Sequence, residues 1–416
     1  MRILLLNDDA LPSARGGAAV VVETLRREYA RRGHHVTLIT THQDTASGME
    51  ERRTDKTGLT ISILVRYDLQ KRHRHVIGRP YFAEHLRALI RECQPDVIHA
   101  HNVHTYLTYE SLRIAREFTP RIFLTAHDTF LVSFQRVNQK EYLSAALKNE
   151  PFHMHFWHHA LSAGRKYWPF RNAMIHRIIR QTGTTVISIS RALQTFLRIN
   201  GIESNTVIYN GVPASSPPPQ DLTGKLKEQW GLRGPTLLYG GRINADKGLL
   251  AVLSAWKLVI KKLPEAHLLI VGRVDGDFLS QEKYAPIRKS LCLPGWIPYE
   301  DMPLTYAVAD AVTTPSLYLD AFNLMNIEAM AAGKPVIGSI FGGIPEIVSD
   351  GKTGFVIHPD DPTAFAHAIL TILQNPDLAR HMGEAGRRKT LEEFSVERCA
   401  DRYLSLFHDQ SAETEL

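Results

Sequence analysis

The chain has 416 residues, too many for one ordinary hydrophobic core, and two domains of similar size are expected. Its 44% hydrophobic and 22% charged residues are those of a folded soluble protein, and no apolar run approaches a membrane span, which excludes a transmembrane bundle. The formal net charge is +6, and the three cysteines (Cys93, Cys292, Cys399) are scattered, odd in number and without metal spacing, so a reduced, cytoplasmic setting is expected.

The first residues are expected to enter a strand directly, with no signal peptide. Through the first half, strands are expected at Arg2–Asn7, Val36–Thr41, Leu59–Val65, Val97–His101, Ile122–Ala126, Thr185–Ile189 and Val207–Tyr209. Several are continuous Ile/Leu/Val runs, the pattern of parallel strands buried on both faces. Helical patterns such as Ala18–Arg32 and Tyr81–Cys93 separate many of them, which is an α/β arrangement. Pro213 to Pro219 then reads as a linker. The alternation restarts with strands at Thr236–Tyr239, His267–Val271, Ala311–Thr314, Val336–Gly338 and Phe355–His358. Helices are expected near Gly248–Lys262, Met302–Val308, Leu324–Ala332 and Pro362–Leu373. Two Rossmann-like domains facing each other across a ligand cleft follow from this pattern.

Five places carry chemistry. Gly16-Gly17 stand at the entrance of a helix, where backbone N–H groups approach a phosphate closely, although Gly-Gly also breaks loops. This is not the G-x-G-x-x-G of nicotinamide enzymes. His127 ends the strand Ile122–Ala126, a position that faces ligands in open sheets; a lone histidine is more often structural. Arg242 and Lys247 flank the strand-to-helix turn after Thr236–Tyr239, where cations meet phosphate; the plainer alternative is a solvated surface pair. Glu328 lies inside the apolar helix Leu324–Ala332, and a buried carboxylate requires hydrogen-bond partners. Asp320 lies just before that helix, whose N-terminal N–H groups favour an anion.

Between Arg136 and Arg180, eight Lys/Arg stand against two acids, with Phe152, Phe156, Trp157, Tyr167, Trp168 and Phe170 interleaved. This reads equally as a patch for an anionic membrane or lipid-linked acceptor and as a helical insertion with a solvated basic face. Its histidines lack the Cys or acidic partners of a zinc site, and no nucleic-acid recognition motif is seen.

The ordered set Gly241-Arg242, Lys247-Gly248, Val271-Gly272, Ser316…Asp320-x-Phe322…Glu328-Ala-Met, Gly342-Gly343-Ile-Pro-Glu346 and Gly351-x-x-Gly354 closely resembles family-4 retaining glycosyltransferases of the GT-B fold. The resemblance spans roughly residues 236–394; in the first half it rests on Gly16-Gly17, His127-Asp128 and Asn210-Gly211-Val212.

The resemblance implies an acceptor-binding domain over residues 1–212, a donor-binding domain over 213–394, and a helix over 395–416 returning to the first domain. Glu328 would accept the ribose hydroxyls of a nucleotide-sugar, and Arg242 and Lys247 would neutralise the diphosphate. Backbone N–H groups near Asn323, Leu324 and Met325 would join them, with Gly16 and Gly17 closing from the other domain. Ile297 would meet the base and His127 the sugar.

The motif's first carboxylate is usually Glu and is Asp320 here; the usual Gly after Phe322 is Asn323. The expected reaction is metal-independent, cofactor-free transfer to an acceptor hydroxyl with retention, in glycan or glycolipid synthesis. The alternatives are a lapsed nucleotide-sugar-binding scaffold or a sugar-nucleotide epimerase. A cytoplasmic protein, peripheral on the inner membrane face through 136–180, is the expected location.

Overall fold

Ile3, Leu4, Leu5 and Leu6 are buried on both faces of the first strand, as a continuous apolar run in a parallel sheet requires. The computed structural model describes the chain apart from residues 12–15, 45–47, 67–71, 79, 215–216, 242–244, 273–281 and 413–416. It divides into two units: Met1–Val137 with Pro151–Gly211 and Val396–Leu416, and Asn138–Glu150 with Val212–Ser395.

The first unit carries β1 (Arg2–Leu6), β2 (His35–His42), β3 (Glu50–Asp55), β4 (Gly58–Leu64), β5 (Val97–Ala100), β6 (Ile122–Ala126), β7 (Thr185–Ser188) and β8 (Thr206–Val207). Among the described residues they form one sheet in the order β3-β4-β2-β1-β5-β6-β7-β8. Only β3, against β4, is antiparallel; β1 runs parallel to β2 in the register Arg2↔His35 and to β5 in the register Ile3↔Val97. β3 (Glu-Glu-Arg-Arg-Thr-Asp) is an edge strand whose charged, exposed side chains hide it from a search for apolar runs.

Helix Val396–Ala412 belongs to this unit. Its Tyr403 and Phe407 are fully buried, with the Phe407 ring 4.7 Å from Phe123 and 6.2 Å from Tyr29. Arg32 adds an N–H to the Glu397 carbonyl at 2.8 Å.

The second unit carries β9 (Thr236–Gly240), β10 (His267–Val271), β11 (Leu291–Gly295), β12 (Ala311–Thr314), β13 (Val336–Ser339) and β14 (Gly354–Ile357). The order is β11-β10-β9-β12-β13-β14 and every pairing is parallel. Counted within the unit this is the 3-2-1-4-5-6 order of a doubly wound nucleotide-binding sheet. The first unit repeats it in β4-β2-β1-β5-β6-β7. β11 contains Pro294, tolerated because an edge strand leaves one row of N–H groups unpaired. Trp256, on helix Leu249–Lys262, is fully buried in the core and donates its indole N–H to Ser290 Oγ at 2.9 Å.

The stretch Asn138–Glu150 groups with the second unit, although the chain on either side of it belongs to the first. Its helix Lys140–Leu147 buries Tyr142, whose hydroxyl accepts the Gly342 N–H at 3.2 Å. Asn138 donates to Asp246 Oδ1 at 2.9 Å.

Candidate functional site

In a doubly wound sheet the loops after the strands that flank the reversal of order form a natural ligand crevice. In the second unit those strands are β9 and β12. Between β9 and helix Leu249–Lys262 lies the 3-10 turn Ala245–Lys247. Gly248 joins them at φ +79°, and a Cβ there would lie 1.9 Å from the Pro315 carbonyl oxygen, so only glycine lets the two loops touch. The contact brings Lys247 onto the segment after β12.

The Lys247 ammonium lies 2.9 Å from Asp320 Oδ2. The same oxygen accepts Ser316 Oγ at 2.8 Å and Asn323 Nδ2 at 3.0 Å. Burial alone would raise the Asp320 pKa, but Lys247, Ser316 and Tyr318 outweigh it and hold the carboxyl below its ordinary range. Burial likewise disfavours the Lys247 ammonium, yet Asp320 and Tyr318 keep it above the usual lysine range. The site therefore holds a formed, charged pair. Gly342, at φ +69°, packs on the Asp320 backbone so closely that a Cβ would fall 2.3 Å from the Asp320 carbonyl oxygen. Gly343 donates its N–H to that carbonyl at 2.8 Å.

Asn323 is the N-cap of helix Leu324–Ala331, its Oδ1 accepting the Met325 N–H at 3.1 Å. Its backbone is extended (φ −85°, ψ 107°) and makes no demand for glycine. The cap thus engages the Met325 N–H. One turn into the helix, Glu328 is half-buried and accepts Tyr306 Oη at 2.6 Å. Burial raises its pKa, and hydrogen bonds from Tyr306 and Tyr299 work against the rise. The partners that a carboxylate in an apolar helix requires are thus tyrosines of the protein itself. Ile297 is half-buried in the loop after β11, next to the exposed Trp296. Arg242 lies outside the described residues.

In the first unit the reversal lies between β1 and β5. Asp8, just past β1, is buried and accepts the N–H groups of Thr105, Tyr106 and Leu107 at 2.7, 3.0 and 2.8 Å. Burial raises its pKa to about 6. The run Asn7-Asp8-Asp9 directly after a strand is the signal that could have marked it. Gly16 caps helix Gly17–Arg31 in extended conformation (φ −118°), and a Cβ on it meets no described atom within 4 Å. His127 sits past the end of β6, half-buried, with its Nε2 2.9 Å from Nδ1 of the buried His101. Asp128 shapes the next turn by accepting the Phe130 N–H at 2.8 Å.

The basic aromatic segment separates into two kinds of residue. Arg171 is buried, its guanidinium 4.8 Å over the Phe134 ring and 2.7 Å from Asn172 Oδ1. His159 is buried as well, and burial depresses its pKa to about 4. Phe156, Trp157, Leu161 and Phe170 are exposed. No helix among the described residues is long and apolar enough to cross a membrane. Among the described residues no group of three or more His, Cys, Asp or Glu is placed to hold a metal. Asp275 and Asp277, spaced as Asp-Gly-Asp, lie outside the described residues.

The family model for glycosyltransferase family 4 matches residues 15–216, and that for glycosyl transferases group 1 matches residues 224–389. Alpha-maltose-1-phosphate synthase of Mycolicibacterium smegmatis is 30% identical over 227 residues, 51% of this chain and 56% of that protein. The chain thus spans little more than half of that relative. Glycogen synthase of Mycobacterium tuberculosis is 24% identical over 415 residues, 95% of this chain and 91% of its own. Sucrose-phosphate synthase from Thermosynechococcus elongatus superposes with a TM-score of 0.74 over 99% of both chains at 23% identity. Anabaena HepE does so with a TM-score of 0.64 at 17% identity, over 98% of this chain and 99% of that one. At these identities the likeness to the solved structures is one of fold: two Rossmann-like parallel-sheet domains of the GT-B class.

Proposed function

The chain belongs to the family-4, group 1 glycosyltransferases, and from that premise we propose that it moves a sugar from a nucleotide-sugar to an acceptor hydroxyl with retention. What carries the reading is the Lys247–Asp320–Asn323 cluster beside Glu328, built at the order reversal of the second sheet. In the reading, the second unit takes the donor and the first the acceptor.

Glu328, held by Tyr306 and Tyr299, accepts the ribose hydroxyls, and Ile297 lies against the base. Lys247, with Arg242, receives the charge that develops on the departing diphosphate. The Asp320 pair keeps the Lys247 ammonium charged and aimed. Asp320 also meets hydroxyls of the transferred sugar. The N–H groups at Asn323 and Leu324 and those at Gly16 and Gly17 complete the phosphate contacts. His127 hydrogen-bonds to the sugar. The departing diphosphate oxygen takes the acceptor's proton, so the attack comes from the leaving-group face and the anomeric configuration is kept. The cations supply positive charge without a metal. Asp320 and Asn323, where the motif departs from its usual form, are joined in one hydrogen-bonded cluster, which supports a working site. The exposed Phe156, Trp157, Leu161 and Phe170, in the same segment as the exposed Arg165 and Lys166, support contact with a lipid-linked acceptor or anionic membrane surface.

The test is to incubate the protein with UDP-, GDP- and ADP-sugars and a panel of glycan and lipid acceptors, with and without EDTA. UDP-glucose is the first donor to try, because Anabaena HepE has been solved in complex with it. The expected product is an α-glycoside from an α-linked donor, formed equally with EDTA. A β-product, or loss of activity restored by added metal, contradicts the mechanism.

A further inference from the structure

Three histidines form a column in the first unit. His99 and His101 are buried on β5 and just after it, with ring centroids 4.1 Å apart; His127 stacks on His101 at 5.1 Å. His99 Nε2 lies 2.8 Å from Thr125 Oγ1, which lies 3.0 Å from the Tyr403 hydroxyl. His101 Nδ1 lies 2.9 Å from His127 Nε2. His99 Nδ1 and His101 Nε2 are buried and have no hydrogen-bond partner. Burial disfavours the charged form of all three rings, so each carries one proton.

A neutral imidazole has one donor and one acceptor nitrogen. One proton must lie between His101 and His127, and the unpartnered nitrogens decide which ring supplies it. An orphaned buried N–H is rarer in folded proteins than an unused acceptor. His101 Nε2 is therefore the bare nitrogen, and its proton resides on Nδ1. The bond then runs from His101 Nδ1–H to His127 Nε2. Since His127 accepts at Nε2, its own proton is on Nδ1, which no described protein group engages. His99 follows the same logic, with its proton on Nε2 donated to Thr125.

We propose that His101 is a positioning residue that locks His127 in the Nδ1–H tautomer, so that His127 meets the transferred sugar as a hydrogen-bond donor and not as a base. This rests on the reading of His127 as a sugar contact. It assigns a chemical preference: a ligand oxygen with a free lone pair opposite His127, such as a sugar hydroxyl or ring oxygen. The device is local to β5 and β6, which pair in the register Ile98↔Ile122 and so set the two rings side by side.

The experiment is imidazole 15N NMR of the full chain labelled at histidine, with His127 assigned by its loss in His127→Gln. The wild-type protein is expected to show the His127 proton on Nδ1; a proton on Nε2 overturns the proposal without any variant. His101→Phe keeps the ring volume and removes the donor, whereas His101→Asn keeps an N–H near the place of Nδ1. In His101→Phe the His127 proton is expected to move to Nε2, with kcat lower by about tenfold and donor KM little changed. His101→Asn is expected to restore both the tautomer and most of the rate. An unchanged kcat in His101→Phe with the tautomer switched overturns the positioning role. If the wild-type chain transfers no sugar at all, the proposed function fails, while the 15N spectrum still decides the tautomer.

Discussion

Lys247 and Asp320, separated by three strands of the second sheet in sequence, meet at 2.9 Å in the loops beyond β9 and β12. The pair is nearly buried, with 19% of the lysine and 9% of the aspartate side chain exposed. Lys247→Met would strand a buried carboxylate on Ser316 and Asn323. We expect a loss of about 2–3 kcal/mol in urea unfolding, below the usual cost of breaking a fully buried pair because Lys247 retains some solvent. Combined with Asp320→Asn, the two changes should couple by about 1–3 kcal/mol, whereas strictly additive effects would show that the pair is incidental.

Glu328 is expected to act through its geometry, and Tyr306 holds that geometry. Tyr306→Phe removes a 2.6 Å hydrogen bond and leaves Tyr299 alone against the burial that already raises the carboxyl pKa. Donor KM should rise about tenfold with kcat little changed, the loss expected for one hydrogen bond to a charged group. Because the Glu328 pKa rises further, the acid limb of donor binding should move to higher pH. A KM profile identical to wild type at all pH values would remove Tyr306 from the site.

Asn323 should tolerate replacement poorly, despite the glycine usual at its place in the family's motif. Asn323→Gly removes the acceptor for the Met325 N–H and a donor to Asp320, which together should cost about 1–2 kcal/mol. Asp320→Glu adds a methylene between a backbone packed on Gly342 and a carboxylate fixed by Lys247, Ser316 and Asn323, and should cost about 1–3 kcal/mol. Thermal melts of the two single variants test this; a higher Tm in either would mean that the cluster is not tuned to Asp and Asn.

Acid should weaken the first unit before the Asp320 carboxylate, held below its ordinary range by Lys247, is protonated. His99 has its pKa lowered from 6.5 to about 3 by burial, so its stabilising contribution is complete above 6.5 and declines as pH falls toward 3. The slope is about 1.4 kcal/mol per pH unit for one such group. His101 and His127 shift in the same direction. Asp8 opposes them: with its pKa raised to about 6, its contribution is full below 3.8 and is lost as pH rises through 6. His159, lowered to about 4, adds to them, and the histidine shifts together outweigh that of Asp8, which leaves a net loss of stability on acidification. Urea midpoints at pH 7.5 and 5 should show it, and His99→Phe should flatten the slope.

The sheets were legible because parallel strands such as β1 and β9 are unbroken apolar runs, and helix Leu324–Ala331 because apolar side chains and Gly333 bound it. β3 and β11 were not, since edge strands carry charge or proline. Lys247, Asp320 and Glu328 each stood out by residue type and place. Their partners were not: Tyr306 precedes Glu328 by 22 residues, and Lys247 and Asp320 are 73 apart, so only the fold brings them together. Asn323 looked like a missing glycine because a cap is defined by its hydrogen bond, which sequence does not display. His101 was read only as the end of a strand, since its meaning depends on a neighbour one strand away.

The most direct measurement of the central claim is release of free nucleoside diphosphate from a nucleotide-sugar in the presence of acceptor, comparing wild-type protein with Glu328→Ala. Turnover by the wild type is expected, with a loss of at least about a hundredfold in kcat/KM for Glu328→Ala and unchanged far-UV circular dichroism. Equal turnover by the two proteins, each folded, would contradict it.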